Sequence, residues 1–109
     1  MALHLSLSPK AFEALERLGR AHPGQDLHLA VVPECACGKM AFTWTWEPRA
    51  DSPALALEVA GVRIVADPAQ ADQIDGADVD YEDALMTKRF VVHHPRVITE
   101  CQGPRIGGD

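Results

Sequence analysis

Along the chain the apolar and polar positions change period several times, and each change predicts an element. "LHLSL", Leu3 to Leu7, alternates at period two and stops at Ser8-Pro9, which predicts a short strand. Ser8 then stands as a helix cap with Pro9 in the first turn, where a missing N–H costs nothing. Ala11, Phe12, Leu15 and Leu18 recur at helical spacing, so one buried stripe is expected, with Lys10, Glu13, Glu16 and Arg17 outward and the helix ending near Gly19. After a turn at "HPGQD", "LHLAVV" from Leu27 to Val32 reads as an inner strand ended by Pro33. "MAFTWTW" sets Phe42, Trp44 and Trp46 on one face and Thr43 and Thr45 on the other, the clearest strand in the chain. A core role is expected for both tryptophans, because a small domain needs large apolar groups.

"EPRADSP" reads as a loop, and "ALALEVAGVRIVAD" as two strands joined tightly at Ala60-Gly61. Asp67-Pro68 repeats the cap-then-proline signal and predicts a short helix up to about Ile74. Val79 and Tyr81 alternate with acids in "DGADVDYED", and "RFVV", Arg89 to Val92, reads as the last strand, followed by a flexible tail from about residue 100. The sum is about six or seven strands and two short helices that do not alternate regularly. That predicts an α+β fold with strands in packed mixed sheets and the helices outside, not a doubly wound parallel sheet.

A chain of 109 residues with 47% hydrophobic positions is enough for one core, so a single domain over 1–109 is expected. No run approaches the roughly 18 apolar residues of a membrane span, and the opening lacks a targeting pattern, so an untargeted cytoplasmic chain with no membrane partner is expected. The formal net charge of -6 argues against a nucleic-acid partner. G-x-S-x-G, a glycine-rich phosphate loop and H-E-x-x-H are all missing from the sequence, and no enzyme is predicted. Asp72, Asp75, Asp78, Asp80, Glu82 and Asp83 lack the EF-hand spacing and read as a solvated acidic face that could dock a basic partner.

The remaining chemistry lies in three cysteines, an odd count that fits reduced thiols better than a disulfide framework. Thiolates suit zinc, copper(I) and iron–sulfur clusters. Cys35 and Cys37 in "PECACGKM" stand one residue apart. On an extended strand their Cβ atoms lie roughly 6.5 to 7 Å apart, whereas sulfurs sharing one zinc lie roughly 3.7 Å apart. They chelate only if the backbone bends, which Gly38 permits; otherwise they are small apolar side chains or, with a histidine, part of a zinc or redox site. Cys101 lies in a polar, glycine-containing tail where packing gives little reason for a thiol, which favours a ligand.

Taken in order, "LSLSPKAFEALERL", "CGKMAF", "GVRIVAD", "IDGADVDYED" and "FVVHHP" followed by Cys101 resemble the HesB-like, A-type iron–sulfur carrier family over almost the whole chain. The resemblance implies a compact HesB-like domain that binds iron or a [2Fe-2S] cluster through cysteines, between the subunits of a homodimer, and delivers it to recipient proteins alongside scaffold proteins. It implies that Cys37 is the central ligand and Cys101 the first tail ligand; the second tail position holds Gly103. Cys35, an additional thiol, or one of His93 and His94 could fill that place, since imidazole replaces cysteine on one iron of Rieske centres. Adjacent strand residues face opposite ways, so only one histidine of the pair would reach a site, and both otherwise read as solvated. His4, His22 and His28 have no partner in the pattern. An interaction module that keeps the fold and no longer binds a cluster is the alternative.

Overall fold

The computed structural model describes residues 3–34, 39–83 and 88–97. Among them the chain forms seven strands and two α-helices: β1 Leu5–Leu7, α1 Pro9–Ala21, β2 Gln25–Pro33, β3 Met40–Pro48, β4 Ala56–Val59, β5 Val62–Val65, α2 Ala71–Ile74, β6 Ala77–Asp83 and β7 Lys88–His93. A 3-10 turn, Pro68–Gln70, leads into α2. Two mixed sheets result, one ordered β1-β6-β7 and the other β3-β2-β5-β4, which is the expected α+β class. No helix among the described residues is long and apolar enough to cross a membrane.

The core forms where the sheets face each other. Leu27, Leu29 and Val31 of β2 are buried and lie opposite Trp46, Trp44 and Phe42 of β3, so one face of the hairpin carries an aliphatic row against an aromatic row. Leu5, Leu7, Phe42, Trp44 and Phe90 touch the apolar clusters of both sheets. Trp44 packs on Phe90 with centroids 5.0 Å apart, and Trp46 stacks on His22 at 4.3 Å and 10°. Both tryptophans therefore pack against the core, half-buried, as their spacing predicts.

Ser8 caps α1 through Oγ, which accepts the N–H of Ala11 at 3.1 Å, and its hydroxyl donates to Asp80 Oδ1 at 2.6 Å, holding the helix start to β6. The buried stripe is Ala11, Ala14 and Leu15, and Phe12 lies outside it at 42% exposure. Successive helical residues are about 100° apart, so Phe12 turns away from the line through 11 and 15. Gly19 does not end the helix, which runs on to Ala21. A Cβ at Gly19 would fall 2.5 Å from Val62 Cγ2, so glycine is there to let α1 approach β5. The β4–β5 turn places Ala60 and Gly61 at φ 55° and 77°, the left-handed pair of a type I′ hairpin.

One buried ion pair fixes the start of β2. Asp26, 1% exposed, accepts from Arg63 Nε at 2.8 Å and Arg63 Nη2 at 2.9 Å, and from the N–H of Ala50 at 2.9 Å. The Arg63 guanidinium holds the Asp26 carboxyl below the usual carboxylate range, with the Ala50 N–H adding to it and burial opposing it. "HPGQD" was expected to be a turn, but β2 begins within it, because Asp26 and Arg63 are register partners.

Gly19→Ala is expected to lose stability. Overpacking costs about 1–3 kcal/mol, which exceeds the gain of about 1 kcal/mol from replacing a helical glycine. In a Val62→Ala background the sign should reverse, and equal losses in both backgrounds by denaturant unfolding would contradict the contact. Asp26→Ala removes the acceptor of the Ala50 N–H and leaves the part-buried Arg63 guanidinium only its bond to the Ala50 carbonyl, and should cost about 1–3 kcal/mol. A carboxylate with a depressed folded pKa gives stability that is present above its unfolded value, near 3.9, and is lost as pH falls through its folded value. The wild type should therefore lose more stability on acidification below pH about 4 than Asp26→Ala does, and parallel acid-unfolding curves would refute the assignment.

Candidate functional site

Cys35, Cys37 and Cys101 lie outside the described residues, as do Gly38 and Gly103. The stem on either side of the first two cysteines is well defined. Pro33 of β2 pairs with Met40 of β3, and beyond them the N–H of Glu34 donates to the carbonyl of Lys39 at 2.9 Å. Lys39 Nζ lies 3.3 Å from Glu34 Oε1, a half-exposed pair that adds little energy but the same closure. Positions 35–38 thus join two residues that the hairpin holds together.

β2 needs help to reach that stem. It pairs with β3 along its whole length, but with β5 only from Asp26 to His28. Further along, Gln70 takes the place of the missing strand: its Oε1 accepts the N–H of Val31 at 2.9 Å, and its Nε2 donates to the Val31 carbonyl at 2.7 Å. A side-chain amide carries the same donor and acceptor as a peptide, so it closes the open edge four residues before Cys35. Sequence reasoning missed Gln70, and no local pattern marks it, since its partner is the main chain 39 residues away.

A cleft of about 340 Å³ borders the stem, lined among others by Glu34, Lys39, Phe42, Arg89, Phe90 and His93. The hairpin root and the end of β7, from which the chain continues toward Cys101, are therefore neighbours. His93 is exposed on this side, as expected of a strand end. His94 is not: it is 8% exposed, against the expectation that it is solvated. Its Nε2 meets the carbonyl oxygen of Asp75 at 2.9 Å, and its Nδ1 meets the N–H of Arg96 at 3.1 Å. Both ring nitrogens are occupied, so in this geometry His94 offers no lone pair to a metal.

His4 and His28 are satisfied locally. The ring of His4 lies 3.2 Å from Asp75 Oδ1, and that of His28 lies 3.3 Å from Glu47 Oε2. The N–H and ring of His4 hold the Asp75 carboxyl below its usual range, and the Ser8 hydroxyl and Tyr81 N–H do the same for Asp80. Glu82 and Asp83 lie 3.7 and 3.8 Å from Arg89 and Lys88 across the β6–β7 pair, so much of the acidic run is spent on internal contacts. Among the described residues, no group of three or more His, Cys, Asp or Glu side chains could hold a metal ion.

No family model matches the chain. It is 30% identical over 102 residues to the iron–sulfur cluster insertion protein ErpA of Mannheimia succiniciproducens, spanning 93% of this chain and 90% of that one. It is 28% identical over 102 residues to the ErpA of Erwinia tasmaniensis, with the same coverage. Its fold is similar to that of Escherichia coli SufA, involved in biosynthesis of iron–sulfur clusters, with a TM-score of 0.68 at 22% identity over 85% of this chain and 87% of that one. It is also similar to the crystal structure of IscA with the [2Fe-2S] cluster, with a TM-score of 0.59 at 27% identity over 84% of this chain and 83% of that one.

Gln70→Leu keeps the bulk of the side chain and orphans the N–H and carbonyl of Val31, which should cost about 1–3 kcal/mol. Amide hydrogen exchange at Val31 should quicken more than at Leu27, where β3 and β5 remain. Uniform exchange changes along β2 would show that Gln70 does not act locally.

Proposed function

Because this chain belongs to the HesB-like, A-type iron–sulfur carrier family, we propose that it works in iron–sulfur cluster assembly, holding iron or a [2Fe-2S] cluster as cargo and passing it to recipient proteins. The observation that carries this reading is the near full-length likeness to cluster insertion proteins. The stem geometry supports it. Cys37 is two residues from Lys39, and Cys101 is four residues from Val97, so each sulfur is tied by a short segment to a fixed point, about 7 and 14 Å of chain at most.

The chemistry follows from soft donors on short leashes. Thiolates stabilise iron, and an exposed site lets an acceptor thiolate form its Fe–S bond as the bond to Cys37 or Cys101 breaks, with no net oxidation or reduction. A [2Fe-2S] cluster takes four protein ligands. Cys37 and Cys101 from each of two copies would supply four thiolates without a second tail cysteine, so a homodimer with one shared cluster suits Gly103. Cys35 is an auxiliary thiol for exchange. His94 is left out of the ligand set because both its nitrogens are already bonded.

Gly103 also favours a second reading, a HesB-like interaction module without cargo. Anaerobic loading with ferrous iron and sulfide separates the two. The carrier should develop visible sulfide-to-iron absorption, lost in Cys37→Ala and in Cys101→Ala and weakened at most in Cys35→Ala. A colourless wild type, under conditions that colour a cluster insertion relative, would overturn the carrier reading in favour of the module. Stoichiometric zinc that resists mild chelation in untagged protein would displace iron as the cargo.

A further inference from the structure

His94 is tied to its surroundings more tightly than packing alone requires. A carbonyl only accepts and a main-chain N–H only donates, so the contacts to Asp75 O and Arg96 N specify a ring with its proton on Nε2 and its lone pair on Nδ1. Nδ1 accepts the N–H two residues on, the bond an Asx side chain makes at a turn. The N–H of Val97 donates to the His94 carbonyl at 3.1 Å, which closes the turn and leaves Val97 buried at 9% exposure. Arg96 Nη1 donates to the carbonyl of Asp72 at 3.3 Å. Two side chains of this turn thus reach back to main-chain oxygens of the α2–β6 corner. The corner is itself anchored: the N–H of His4 donates to Asp75 Oδ1 at 2.7 Å, and the N–H of Gly76 donates to the His4 carbonyl at 2.7 Å.

We infer that His94 is a positioning residue for the thiol-bearing tail: its imidazole locks the 94–97 turn to the α2–β6 corner and so fixes the point, at Val97, from which the chain leaves toward Cys101. It acts through the direction of the chain and not as a ligand. What the tail presents rests on the carrier reading, whereas the lock rests only on the contacts above.

The lock is tested on the full chain in a Cys35→Ser/Cys37→Ser background with a nitroxide on Cys101, by mapping which amides the label broadens. The variants are His94→Leu, which loses both bonds, and His94→Gln, whose amide nitrogen can keep the donor to Asp75 O. Folding of each is checked by circular dichroism, and His94→Asn, too short to reach Asp75, replaces the Leu variant if that one does not fold. The broadened set should shift in His94→Leu and return to the wild-type set in His94→Gln; one set common to all would overturn the lock. In the cysteine-complete chain, loaded His94→Leu should keep the wild-type absorption and, after one-electron reduction with dithionite, the wild-type electron paramagnetic resonance line shape, while releasing iron to a chelator about tenfold faster. A changed line shape would make His94 a ligand and overturn the inference. A wild type that fails to load, with the label still moving in His94→Leu, would sink the carrier reading and leave the lock standing.

Discussion

A strand buried between two others must have every main-chain N–H and carbonyl answered on both edges, and β2 carries that constraint for the whole fold. One edge is satisfied by β3 from end to end. The other is covered in pieces: β5 at Asp26 to His28 and the amide of Gln70 at Val31. The Asp26–Arg63 pair fixes the register at the N-terminal end, and the Glu34–Lys39 closure fixes it at the other. A one-residue slip would turn Leu27, Leu29 and Val31 out of the core, so the register that buries them also fixes where the cysteine segment leaves the sheet.

The second sheet does the same for the tail. β1 pairs parallel to β6, and β6 pairs antiparallel to β7, so the two ends of the described chain meet at one place. His4 and His94 both bond to Asp75 there, one through its carboxylate and the other through its carbonyl. Hairpin stem and strand end then line a common cleft. The proposed carrier role would use such economy, because a cargo held by few atoms on fixed supports stays open to an incoming thiolate.

Period and punctuation carried most of the fold into view. Ser8-Pro9, Asp67-Pro68 and Ala60-Gly61 each mark a boundary by local chemistry, and the boundaries stand where they were expected. What local pattern could not convey is contact between distant main chains. Phe12 fits a helical spacing yet faces out, because the stripe is decided by which sheet the helix meets. Gly19 looks like a stop signal and is a contact with Val62. Asp26 and Arg63 carry no local mark of their pairing, because they meet only when β2 and β5 come into register. Gln70 and His94 bond mainly to peptide groups, which leave no residue-specific trace in a sequence.

For the thiols, sequence supplied the identities and the fold supplied the anchors. The most direct measurement is chemical cross-linking of Cys37 to Cys101 by a short bismaleimide in a Cys35→Ser chain, read by mass spectrometry of the digested protein. Linked 37–101 peptides, within one chain or between two copies, are the predicted result. Complete single alkylation of both thiols, without any link at protein concentrations that support dimers, would contradict a shared site.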